Sequence, residues 1–181
     1  MPANDIVKIK YFTARVSPKM NPGGPARQET FLRALRTLPN FEIHLGLFAT
    51  HNVWRPLALP KCDHPRKDHQ LFSKDRINVQ VVDTKEKGSD VNLAIHLLND
   101  AWLGSYEVAA IISNDSDLVL AIQIVRGHLN KKVGIINPHN KLATELAKEA
   151  DFKHQIRAVH LAAAQFPDSI PGTTITKPTE W

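Results

Sequence analysis

The strongest constraint on the fold is a change of hydrophobic period that repeats through the second half of the chain. Ile77 to Asp83 (INVQVVD) has β-branched residues at strand spacing, and Ser89 to Leu103 has apolar residues at helical spacing. Glu107 to Ser113 is a near-continuous apolar run, Ser116 to Leu129 is helical in period, and Lys132 to Ile136 is again an apolar run. Strands joined through intervening helices run parallel, because each right-handed crossover carries its helix over the sheet. Apolar runs without polar alternation suit strands covered on both faces. The expected fold is α/β, with three layers around a mainly parallel sheet. Lys141 to Lys148 predicts one more short helix.

The first half is less regular. Ile6 to Val16 (IVKIKYFTARV) reads as a strand, and the Pro- and Gly-rich Pro18 to Pro25 as a loop. From Ala26 to Leu38, Phe31, Leu32, Leu35 and Leu38 recur at helical spacing until Pro39-Asn40 stops them. Phe41 to Thr50 (FEIHLGLFAT) is expected to be a second strand with His44 on its polar face, and His51 to Arg76, rich in Pro, His and charge, a long loop. With 181 residues and no internal repeat, a single domain over residues 1–150 is expected, followed by a C-terminal extension over 151–181.

Composition narrows the setting. Cys62 is the only cysteine, so no intramolecular disulfide can form, and no N-terminal apolar run resembles a signal peptide; a cytoplasmic location is expected. The 23 Lys and Arg against 18 Asp and Glu give a formal charge of +5, compatible with a polyanionic partner. No G-x-G-x-x-G follows any strand, so a dinucleotide fingerprint is absent.

Three acids stand where a parallel sheet would bring them together. Asp90 lies in the first turn of its helix, and Asp115 and Asp117 follow the apolar strand in Ile111-Ile112-Ser113-Asn114-Asp115-Ser116-Asp117. In open α/β sheets, ligands bind outside the carboxyl ends of the strands. Clustered carboxylates repel unless a cation joins them, and hard oxygen donors suit Mg2+ or Mn2+. Taken singly, each acid is better explained by helix capping; three at one edge are harder to explain so, and both readings stand at this point. Lys85, Lys87, Arg126, Lys131 and Lys132 are candidate phosphate contacts, and Trp54 and Phe72 candidate stacking rings. His96 and Trp102 are expected to be core or half-buried, while Cys62, His64 and His69 do not follow a standard zinc spacing.

The runs Lys87-Gly88-Ser89-Asp90-Val91-Asn92-Leu93-Ala94, Ser113-Asn114-Asp115-Ser116-Asp117-Leu118 and Lys132-Val133-Gly134-Ile135-Ile136 together resemble the NYN domain, a PIN-like fold of metal-dependent ribonucleases. The resemblance extends from about residue 6 to about residue 138. It implies hydrolysis of RNA phosphodiesters, with single-stranded RNA as partner and Mg2+ or Mn2+ held by Asp90, Asp115 and Asp117 as catalytic acids. Lys87, Ser113 and Asn114 are the substrate contacts it implies. Such domains normally open with a strand ending in aspartate, and none precedes Ile6; Asp5 stands at the wrong end of its strand. The expectation is a shortened domain whose sheet lacks its central strand, with impaired activity and an exposed edge open to oligomer formation. A catalytically silent nucleic-acid or protein-binding module and a relative of pyridine-ring hydroxylases are the alternatives.

Overall fold

The structure is a computed structural model that describes residues 5–18, 21–57 and 78–179. It is an α/β fold with mainly parallel strand pairing. Strand β1 (Ile9–Ala14) leads through helix α1 (Gly24–Leu35) to β2 (Phe41–Pro56), which runs parallel to it. Alternation along β1 sends Tyr11 edge-on against Phe31 of α1, with ring centroids 6.4 Å apart, and presents Lys10 and Phe12 to the opposite face.

β2 outlasts its neighbour. Only Phe41 to Gly46 pairs with β1; Leu47 to Pro56 pairs antiparallel with β3 (Asn78–Lys87). This corrects two sequence expectations, since β2 does not end at Thr50 and β3 neither runs parallel nor stops at Asp83. Cross-strand partners explain the difference: Arg55 donates to Asp83 at 2.7 Å, and the Thr50 and Thr84 hydroxyls meet at 3.2 Å. Neither contact leaves a mark in local periodicity. Cys62, His64, His69 and Phe72 lie outside the described residues.

The second half follows its periodicity closely. Helix α2 (Ser89–Trp102), β4 (Val108–Ile112), a 3-10 turn (Ser116–Leu118), α3 (Val119–His128), β5 (Lys132–Asn137) and α4 (Thr144–Glu149) succeed one another. Their core includes the fully buried Ile122, Val125, Val133, Ile135 and Leu146. Phe152–Gln155, which sequence assigns to the extension, forms β6 and pairs parallel with β5; α5 (Ala158–Ala163) follows. Trp102 departs from its expected half-burial and is 78% exposed at the end of α2.

The strands form two three-stranded sheets, ordered β1-β2-β3 and β4-β5-β6, so β1 and β4 are both edge strands. α2 packs on β1, β2 and α3 and so ties the two halves together. One anchor is electrostatic: Lys10 Nζ reaches Asp100 Oδ2 at 2.5 Å and His96 Nδ1 at 3.1 Å. Among the described residues, no helix is long and apolar enough to cross a membrane.

Candidate functional site

Asp90 owes its position to two glycines. Gly46 ends the β1-paired part of β2, and a Cβ there would lie 2.5 Å from the Lys87 carbonyl oxygen, so β3 can close on β2 only over a bare backbone. Gly88 then takes φ 93°, a left-handed conformation that glycine adopts without steric cost, and turns the chain from β3 into α2. Asp90 therefore sits in the first turn of α2, at the rim where β1 and the β1-paired part of β2 end. The 3-10 turn after β4 packs against α2 and brings Asp115 and Asp117 to the same rim.

The electrostatics record this gathering. Burial and then the negative charges of Asp115, Glu86 and Asp117 raise the Asp90 pKa above its ordinary value. Glu86 was missed in the sequence reading because β3 was expected to stop at Asp83; once the strand runs on to Lys87, Glu86 stands three residues before Ser89, whose hydroxyl donates to it.

Capping accounts for part of the cluster. Asp115 caps the 3-10 turn, its Oδ1 accepting from the Asp117 N–H at 3.0 Å, and Ser113 Oγ accepts from the Asp115 N–H at 3.1 Å. Asp90 does not cap α2, whose N-cap is Gly88. Asn114, an implied substrate contact, has structural partners instead: its amide donates to the Lys141 carbonyl at 3.0 Å and accepts from the Ala143 N–H at 2.7 Å. Three of the candidate phosphate contacts are paired as well, Lys85 with Asp83 at 3.7 Å among them. Arg126 grips Asp151 through two bonds of 2.8 and 2.9 Å, and Lys131 reaches Glu107 at 2.7 Å. Lys87, at the root of the rim, is exposed and has no ion pair among the described residues.

The donor chemistry suits a hard divalent cation, and the mutual repulsion at Asp90 is what a cation would relieve. The spacing does not suit direct ligation by a whole cluster: among the described residues, no three His, Cys, Asp or Glu side chains stand close enough to hold one ion together.

Comparison with known proteins decides the family. The NYN domain model matches residues 62–157, more than half of the chain. The chain belongs to the NYN domain family. NYN domains are nuclease-like and related to nucleic acids, and such nucleases typically use divalent metals. The 6-hydroxy-3-succinoylpyridine 3-monooxygenase HspA of Pseudomonas putida (strain DSM 28022 / S16) is 33% identical over 183 residues, which include 96% of this chain. This NYN chain spans 57% of that protein's length. A crystal structure of VPA0982, a protein of unknown function from Vibrio parahaemolyticus RIMD 2210633, superposes with a TM-score of 0.50 at 20% identity. It covers 84% of this chain and 70% of the other, and supports the fold.

Proposed function

We propose that this NYN domain is a divalent-metal-dependent ribonuclease that hydrolyses single-stranded RNA at the Asp90, Asp115 and Asp117 rim. The observation that carries the reading is the packing of the 3-10 turn after β4 against the start of α2, which sets Asp115 and Asp117 near enough to Asp90 for their charges, after burial, to raise its pKa. Four carboxylates on the carboxyl-end rim of an α/β sheet are poorly explained by capping, since only Asp115 serves a cap there. Because the acids do not close around an ion, we assign them to holding Mg2+ or Mn2+ largely through its waters, a mode such ions tolerate. Bound there, the ion would make a bound water more acidic and offset charge on a phosphodiester under attack. Asp90 and Asp117 would orient the hydrated ion, Asp115 would add charge while holding the turn, and Lys87 would meet the RNA backbone at the mouth of the rim.

A second reading is favoured by the likeness to HspA, which runs over nearly the whole chain. On that reading the protein oxygenates a pyridine-type ring, and the acids orient a small heterocycle instead of a metal. One set of assays separates the two. Purified protein is given labelled single-stranded RNA with Mg2+ or Mn2+, with chelator and the variants Asp90→Asn and Asp117→Asn as controls. The protein is assayed in parallel for NADH-dependent turnover of 6-hydroxy-3-succinoylpyridine. Metal-dependent cleavage lost in both variants supports the nuclease. Turnover of the pyridine without RNA cleavage overturns it, and RNA binding without either activity identifies a silent binding module.

A further inference from the structure

Beyond Gly46, β2 has no β1 beside it, and Leu47–Pro56 with Asn78–Lys87 forms a two-stranded antiparallel ribbon, Leu47 opposite Lys87 and Pro56 opposite Asn78. At the usual rise per residue the ribbon is roughly 30 Å long. Directly opposed residues share a face, so Trp54 and Gln80 stand with Asn52 and Val82 on one side, and Arg55, Lys85 and Lys87 on the other. Trp54 is 67% exposed and Val82 56%, an apolar surface left open among the described residues. By alternation along β2, the Trp54 face is also that of His44, which packs on His96 of α2 with ring centroids 4.1 Å apart. The Trp54 face therefore lies on the α2 side, and the ribbon's root runs through Lys87 and Gly88 directly into Asp90.

The opposite face has the charge pattern of a polyanion site. Three cations stand there against one acid: Asp83 is reached by Arg55 at 2.7 Å and by Lys85 at 3.7 Å, while Lys87 has no ion pair among the described residues. Lysines on an edge strand, here Lys85 and Lys87 on β3, discourage pairing with another polypeptide strand and attract phosphate. A solvent-exposed indole beside a β-branched side chain offers a platform on which any unpaired base can stack. A ribbon is narrow, with strands about 5 Å apart, so one polynucleotide strand can place bases over one face and phosphates towards the long side chains of the other.

We propose that the β2–β3 ribbon is a binding arm for single-stranded RNA, with a base stacked on Trp54 and phosphates held by Lys85 and Lys87, which delivers the strand to the acidic rim. This rests on the ribonuclease reading for its substrate, yet it is testable apart from it. Binding of a fluorescently labelled oligouridylate by the intact chain is measured by anisotropy in chelator, where no metal-dependent cleavage occurs. Trp54→Ala is expected to bind about tenfold more weakly, with Trp54→Phe recovering most of the loss. Lys85→Ala with Lys87→Ala should reduce the slope of log affinity against log salt by about 1.4. Thermal melts should be unchanged, because all three side chains are exposed.

Equal affinity in Trp54→Ala and the parent, or no RNA binding by the parent, overturns the arm. So does a change of oligomeric state in Trp54→Ala with RNA affinity intact, which makes the ribbon a protein contact. If Trp54-dependent binding is present but no divalent ion produces cleavage, the arm stands and the nuclease reading falls. If the parent cleaves RNA and Trp54→Ala binds and cleaves as well as the parent, the nuclease stands and the arm falls.

Discussion

Asp115→Ala and Asp115→Asn remove the same charge but not the same hydrogen bond, and the pair separates the two roles of this residue. Asp115 has extended backbone angles, φ −89° and ψ 119°, and its Oδ1 accepts from the Asp117 N–H at 3.0 Å, holding the 3-10 turn that leads into α3. Leu118 of that turn is only 1% exposed, so the turn is anchored in the core and cannot fray without cost. Asparagine keeps the acceptor and is as good a cap as aspartate, whereas alanine loses it at a cost of about 1 kcal/mol. For a domain of this size, 1 kcal/mol lowers Tm by about 2–4 °C. Both variants also remove a negative charge from beside Asp90, which slightly favours folding in metal-free buffer. Melts in chelator should therefore put Asp115→Ala about 2–4 °C below the parent and Asp115→Asn level with it or above. Added Mg2+ or Mn2+ should raise the parent's Tm, since a ligand bound to the native state stabilises it, and should raise neither variant's. An Asp115→Asn protein that melts as low as Asp115→Ala would refute the capping geometry. Variants that keep both the metal-dependent rise and RNA cleavage would show Asp115 to be a cap and nothing more.

Two further outcomes test how the rim is positioned. Gly46→Ala should destabilise by about 1–3 kcal/mol, because the new Cβ would meet the Lys87 carbonyl oxygen at 2.5 Å and push β3 from β2; urea titration of the variant checks this. Burial, and then His44 and Lys10, lower the His96 pKa below 6.5, so the unfolded chain binds more protons there and stability should fall as pH drops below about 6.5. His96→Asn should flatten that part of the pH–stability curve, with Lys10, Glu42, His44 and Asp100 left in place around it; an unchanged curve would assign the titration to another group.

The candidate acids were legible in the sequence because each one's signal is carried on one element. Asp90, Asp115 and Asp117 each follow a strand whose end is marked by a nearby turn or cap; Asp115 and Asp117 follow the parallel-paired β4, whereas Asp90 reaches the same rim because β3 folds back antiparallel on β2. The hydrogen bonds of Asn114 were not legible because its partners, Lys141 and Ala143, lie in a loop whose position local sequence does not report. The same holds for the ion pair of Arg126: its partner Asp151 precedes β6, a strand too short and too polar to be recognised by period.

By itself the sequence determined the elements from α2 to β5, the α/β class, and the family motifs that gather the acids. Apolar periodicity is a local property, and burial on a helix or strand face repeats at a spacing that neighbouring residues reveal. Tertiary structure alone decided that β3 turns antiparallel to β2, that the two extend into a ribbon bearing Trp54, that Glu86 joins the rim, and that β1 and β4 stand in separate sheets. Each of these depends on which distant backbone a strand pairs with, as Arg55 does with Asp83 across 28 positions, and the energy of such a pairing resides in both partners together.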